Sequence, residues 1–287
     1  MLDYHLHLWR HSDRSLDATV EQVAAYCEKA AAEGVTEIAL TEHFYRFRQA
    51  DVLNGWWDDE PDPAMREAMR GYITDEQTAD LDRYVEVVLA AKAAGLPVVA
   101  GMEVDYFRDR MDTVAGLLAG YPFDVLLGSV HWLGSWGFDN DGDPTFVAAW
   151  GTRAVETVWD DYTTSLEELA ASATCDVLAH PDLCKVFGHV PGAPEEFYDR
   201  MAEAAAAAGM AAEVSSAGWR KPIDEAYPAP PLLARFRARG VPVTTASDAH
   251  HVAVVADRRA DVRALLDAAG YTSLQAYAAR RPHQVSL

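Results

Sequence analysis

Short apolar runs of β type alternate along the chain with longer stretches of helical periodicity. The runs are Leu2–His7, Glu37–Glu42, Pro97–Val104, Asp124–His131, Asp176–His180, Ala211–Ser215 and Pro242–Ser247. Between most of them lie Ala-rich amphipathic stretches, among them Leu16–Glu33, Asp75–Ala94, Pro194–Ala208 and Pro230–Arg239. Gly34, Gly95, Gly209 and Gly240 follow these stretches just before the next run, where a helix stop is expected. Strands alternating with helices predict βα units and a parallel sheet. Repetition of the unit along the whole chain predicts a closed α/β barrel, and residues 1–287 read as one domain. The segment at about 49–74 breaks the rhythm, being rich in Trp, Asp, Pro and Met. It is expected as a loop insertion on the face where the strands end, either a lid or an ordinary packed insertion.

The runs end in residues that bind metals. His5 and His7 end the first, His43 follows the second, and Glu103 ends the third. His131 and His180 end the fourth and fifth, and Asp248 and His250 follow the last. On a β/α barrel, active sites are built at that end from several strands. Residues i and i+2 of a strand share a face, so His5-Leu6-His7 and Asp248-Ala249-His250 each present two ligands together. His11, in the loop just beyond, is placed to fold back as a further ligand. Of the ten histidines only His189, His251 and His283 fall outside the pattern. So many nitrogen and oxygen donors exceed the needs of one ion and suit two or three divalent ions, with Glu103 as a bridge. Imidazole and carboxylate without thiolate fit Zn, Mn or Fe alike.

Composition narrows the partners. The net charge of −21 argues against nucleic acid and anionic membranes, which are bound through Lys and Arg. A small anionic substrate remains compatible, because bound cations reverse the local sign. No apolar run approaches the roughly 20 residues of a membrane helix, and the charged, His-rich opening predicts no signal peptide. Cys27, Cys175 and Cys184 form a sparse set without zinc-site spacing, which suits a reducing cytoplasm. Oligomeric state has no signal in the sequence.

Taken together, Asp3-Tyr-His-Leu-His7, Thr41-Glu-His43, Gly101-Met-Glu103, Ser129-Val-His131, Ala179-His-Pro181 and Ser247-Asp-Ala-His250 resemble the PHP family, named for polymerase and histidinol phosphatase. The motifs keep the family's order and span nearly the whole chain. The resemblance implies a distorted seven-stranded β/α barrel, TIM-like and of PHP type, with a three-metal centre. By motif, His5, His7, Glu103 and Asp248 would hold one ion. His11, His43 and His250 would hold a second, and Glu103, His131 and His180 a third. Ser129-Val-His-Trp-Leu133, Trp136-Gly-Phe-Asp139 and Glu213-Val-Ser-Ser-Ala-Gly-Trp-Arg-Lys-Pro222 are similar to the histidinol-phosphatase branch. In that branch the last stretch supplies cationic phosphate binding. Here it carries Ser215-Ser216 where Asn-Thr or Asn-Ser is expected, and Trp219 where Leu is usual.

The activity implied is metal-dependent hydrolysis of a small phosphate monoester, L-histidinol phosphate in histidine biosynthesis. Glu103, Asp248 and His250 are the candidate catalytic residues. Arg220, Lys221 and Arg46 are the candidate substrate-binding cations, Arg220 as a bidentate phosphate clamp. Phe44, Trp132 and Asp105 are candidates for the substrate's imidazole and ammonium. One rival is a PHP phosphoesterase acting on nucleotides or oligonucleotides. A rival of another class is a non-catalytic metal-binding domain, which the full set of ligand positions disfavours.

Overall fold

The structure, a computed structural model, describes residues 1–13 and 16–287. Seven parallel strands lie in the order β1 (Leu2–Leu6), β2 (Glu37–Leu40), β3 (Val98–Asp105), β4 (Val125–Ser129), β7 (Val177–Leu178), β8 (Ala211–Ser215) and β9 (Val243–Ala246). Each lies within a run that the apolar pattern marks, or extends one residue past it. The hairpin of β5 (Trp132–Leu133) and β6 (Trp136–Gly137) stands off the sheet after β4. The last strand curls back onto the first. His7 N–H donates to the Ala249 carbonyl at 2.8 Å, and the Thr245 hydroxyl donates to the Leu2 carbonyl at 2.6 Å. The sheet is therefore nearly closed, a TIM-like barrel joined at its seam by a single parallel bridge, Leu6 to Ala249.

The helices pack outside. They are α1 (Val20–Ala32), α2 (Pro63–Glu76), α3 (Leu81–Ala93), α4 (Met111–Leu118), α5 (Pro144–Ala149), α6 (Val155–Ala171), α7 (Glu195–Ala208), α8 (Pro230–Ala238) and α9 (Arg259–Ala269). Their apolar faces and the strands bury one continuous apolar cluster. Gly209 stops α7 at φ +68°, a conformation that glycine adopts without the Cβ clash. After α9 an antiparallel hairpin, β10 (Ser273–Ala278) and β11 (Arg281–Ser286), ends the described chain.

The segment at 49–74 is not a loop. It holds a 3₁₀ stretch, Arg48–Leu53, and most of helix α2. The Asp62 side chain accepts from Ala64 N–H, and Pro63 occupies the first turn, where its missing N–H costs nothing. Met65, Met69 and Ile73, spaced by four, bury one face of the helix. Among the described residues no helix is long and apolar enough to cross a membrane.

Candidate metal centre

Buried polar residues collect at the carboxyl ends of the strands. On β1, alternation sends His5 and His7 inward, and both are fully buried. Glu103, also fully buried, stands at the middle of the cluster. Its Oε2 lies 3.1 Å from His5 Nε2, 3.4 Å from His7 Nε2 and 2.8 Å from His43 Nδ1. Its Oε1 lies 3.1 Å from His180 Nε2 and 3.4 Å from His131 Nε2. Asp248 Oδ1 lies 3.5 Å from His7 Nε2 and 3.9 Å from His5 Nε2. The expected sets around Glu103 and Asp248 thus come together.

Four overlapping sets bring their donor atoms within 4.8 Å of one another: His5-His7-Asp248, His7-His43-His250, His5-Glu103-His180 and His43-Glu103-His131. His11 is in none of them. It is exposed at the rim, its ring centroid 4.6 Å from that of His250 and 5.3 Å from that of His43. It therefore caps the side on which the second ion is expected. His180 and Asp248 adopt left-handed backbone, at φ +27° and +50°, a strain that tends to gather where a side chain must be aimed.

Whether these residues fit metal ions is answered by their unmatched atoms. His5 Nε2, both ring nitrogens of His7 and His43, His250 Nε2 and Glu103 Oε2 are buried without a well-aligned hydrogen bond, even where an imidazole and the carboxylate lie at ion-pair distance. A buried polar atom left unpaired costs about 1–3 kcal/mol. A concentration of such atoms pointing at common centres is what cations relieve. Burial, helped by neighbouring imidazoles, holds His43 and His250 well below the usual histidine range, in the neutral form that ligates metal. Burial pushes Glu103 and Asp248 up, but the facing imidazoles outweigh it and hold both well below the carboxylate range.

Two further carboxylates orient imidazoles, and a third lies beside His7. Glu213 on β8 lies 2.7 Å from His5 Nδ1, which leaves Nε2 for the centre. Asp105 lies 2.5 Å from His131 Nδ1 with the same consequence. Such partners fix the tautomer and raise ligand basicity. Glu42, by contrast, sits 3.7 Å from His7 Nδ1, too far for a hydrogen bond, and accepts from Leu8 N–H. The sequence pattern had suggested Asp105 only as a substrate contact, but that carboxylate faces His131. Phe44 is likewise no substrate contact, being fully buried in the core.

The centre opens into a cavity of about 900 Å³. Helix α2 forms one wall through Glu67, Tyr72 and Asp75, and the 139–143 segment forms another. Tyr45, Trp132 and Tyr227 line it as well. The inserted segment therefore shapes the cavity directly.

The three cations separate. Lys221 lines the cavity. Arg46 does not reach it. Its guanidinium is fully buried, with Nε 3.1 Å from Glu76 and Nη2 donating to the Arg10 carbonyl at 3.1 Å. It ties the end of α2 to the loop after β1. Arg220 also lies outside the cavity lining, and its Nη2 donates to the carbonyls of Ser247 at 2.6 Å and Asp248 at 3.1 Å. The expected bidentate phosphate clamp is thus engaged with backbone instead.

The chain is similar to several known proteins. A Deinococcus radiodurans protein named "Probable histidinol-phosphatase" is 34% identical over 249 residues, covering 86% of this chain and 87% of that protein. The crystal structure of histidinol phosphate phosphatase from Lactococcus lactis, complexed with zinc, L-histidinol and phosphate, shares the fold at TM-score 0.72 and 18% identity, over 98% of each chain. A structure from Listeria monocytogenes matches at TM-score 0.71 and 19% identity, over 91% of this chain and 99% of that one. The model of the PHP domain matches residues 5–217, most of the barrel, and the chain belongs to the PHP domain family.

Proposed function

We propose that this protein is a metal-dependent phosphatase that hydrolyses a small phosphate monoester, L-histidinol phosphate, to L-histidinol and phosphate. The observation that carries the reading is the convergence of Glu103 with His5, His7, His43, His131 and His180 at the floor of one cavity whose wall bears Lys221. Divalent ions, Zn, Mn or Fe, supply positive charge to the phosphate oxygens and lower the pKa of the attacking water. His5, His7, Glu103 and Asp248 would hold one ion, His11, His43 and His250 a second, and Glu103, His131 and His180 a third. Glu103, Asp248 and His250 then form the catalytic set, facing the reacting phosphorus. Water would add to that atom as the phosphorus–oxygen ester bond breaks, and the proton that the water gives up would go to the departing alcohol oxygen. Lys221 meets the phosphate as a point charge.

The cavity lining also suits an organic cation. Tyr72 and Trp132 offer aromatic faces, and Asp75 and Asp139 offer carboxylates. Burial, only partly offset by His131 and Lys221, raises the Asp139 carboxyl above its ordinary value. The chain works as one domain in the cytoplasm, a reading supported by its three free, buried cysteines and by the single apolar cluster. The charge of −21 supports a small metabolite as partner in place of nucleic acid or a membrane.

The test is a steady-state comparison of L-histidinol phosphate with bis-p-nitrophenyl phosphate on zinc- or manganese-loaded protein. Preference for the monoester supports the reading. Turnover of the diester alone would move the protein to the general phosphoesterases.

A further inference from the structure

Asp248 reaches the metal centre from an improbable backbone. Beyond β9 the chain leaves the strand, and Asp248 takes φ +50°, a region that L side chains rarely adopt. Such a conformation persists only where the surroundings over-determine it. On the inner side, the Asp3 carboxylate accepts from Ser247 N–H and from the Ser247 hydroxyl, both at 2.7 Å. His7 N–H donates to the Ala249 carbonyl at 2.8 Å. His250 Nδ1 lies 3.4 Å from the Asp248 carbonyl, and Arg220 makes the shorter contacts to the turn. Arg220 Nη2 donates to the Ser247 and Asp248 carbonyls at 2.6 and 3.1 Å, while its Nη1 meets Asp257 at 3.2 Å.

The arginine is itself delivered by a rigid turn. It ends the 3₁₀ stretch Ala217–Arg220, and Gly218 there packs so closely that a Cβ would sit 2.0 Å from the Glu225 carbonyl. A planar guanidinium with its fork of donors can serve two carbonyls and a carboxylate together, and an ammonium on a flexible stem is a poor replacement.

We infer that Arg220 is a positioning residue of the metal centre: by holding the carbonyls of Ser247 and Asp248 it fixes the strained turn that aims the Asp248 carboxylate at His5 and His7. The inference rests on the metal-centre reading proposed above. It assigns the cations of the Arg220-Lys221 pair to different tasks, Lys221 facing the phosphate and Arg220 holding the ligand loop. Loss of a group that orients a metal ligand typically costs about 10- to 100-fold in metal affinity.

The experiment compares wild type with R220A through three readings. These are zinc retention against a competing chromogenic chelator, melting of the metal-free protein, and the Ki of inorganic phosphate at saturating zinc. The expected result is that part of the zinc leaves R220A about 10- to 100-fold more readily, with metal-free melting and phosphate Ki unchanged. Wild-type zinc retention in R220A, with or without a raised phosphate Ki, would overturn the inference, and a raised Ki would return Arg220 to the phosphate. Equal weakening of all bound zinc, with a large drop in metal-free melting, would also overturn it by reducing Arg220 to general scaffolding. R220Q gives the same three readings should R220A fail to fold. Absence of zinc binding in the wild type would instead overturn the proposed function, and this inference with it.

Discussion

His131 holds its Nδ1 2.5 Å from the Asp105 carboxylate, and Asp105 stands two residues past Glu103 on the same strand. One face of β3 thus carries both a central carboxylate of the cluster and the carboxylate that orients an imidazole beside it. Asp105→Asn keeps the shape and removes the charge. It should weaken the ion on His131 by about 10- to 100-fold while the barrel folds normally. Zinc titration followed by a competing chelator reads the effect, and an unchanged affinity would show that Asp105 does not support His131.

Glu103→Ala removes the group on which five imidazoles converge. Elemental analysis after gel filtration should show lost metal, and turnover should fall with it. A variant with full metal content and near-normal turnover would contradict the bridging role.

Lys221 lines the cavity, and a charge-assisted hydrogen bond to phosphate contributes about 1.5–3 kcal/mol. Lys221→Ala should therefore lose roughly 10- to 150-fold in kcat/KM on the monoester. The loss on a diester, which carries less charge, should be smaller, and metal content should stay intact. Equal losses on both substrates would place Lys221 outside phosphate recognition.

Arg46 is expected to matter for stability. Replacing it by Met leaves Glu42 and Glu76 buried beside an apolar chain, and breaking a buried ion pair typically costs about 3–5 kcal/mol. Urea denaturation should show that loss, while KM in the surviving folded protein changes little. A large KM effect without destabilisation would return Arg46 to the substrate.

Stripping the metals should lower the unfolding temperature without abolishing the fold. An ion present at 100 times its Kd stabilises the native state by about 2.7 kcal/mol. Calorimetry with and without chelator reads this directly, and identical melting curves would show that the cluster binds no ion.

The sheet was legible because a buried parallel strand is written as a short apolar run, and most runs here are followed by a helical stretch, several of which end in a glycine. The cluster of donor side chains was legible because His5, His43, Glu103, His131, His180 and Asp248 each lie at or just past the end of such a run. Glu42, Glu213 and Asp105 were not, because 45 acidic residues give three functional ones no contrast. Helix α2 left a signal in Asp62-Pro63 and in the spacing of Met65, Met69 and Ile73, masked by the Trp and Asp residues before it. The cations could not be sorted from sequence. Arg46 and Arg220 end short 3₁₀ turns, and the direction a side chain takes from such a turn is set by tertiary contacts.

The seam between β1 and β9 has a consequence for biosynthesis. Asp3 and Ser247, which bond across it, lie 244 residues apart in the chain. A ribosome releases His5 and His7 early and Asp248 near the end, so a nascent chain lacks Asp248 for most of its synthesis. Contacts of such long separation form slowly, because the loop entropy must be overcome first. Completion of the ion site proposed at these residues therefore waits for closure of the barrel, and a product truncated before the last parallel strand lacks Asp248.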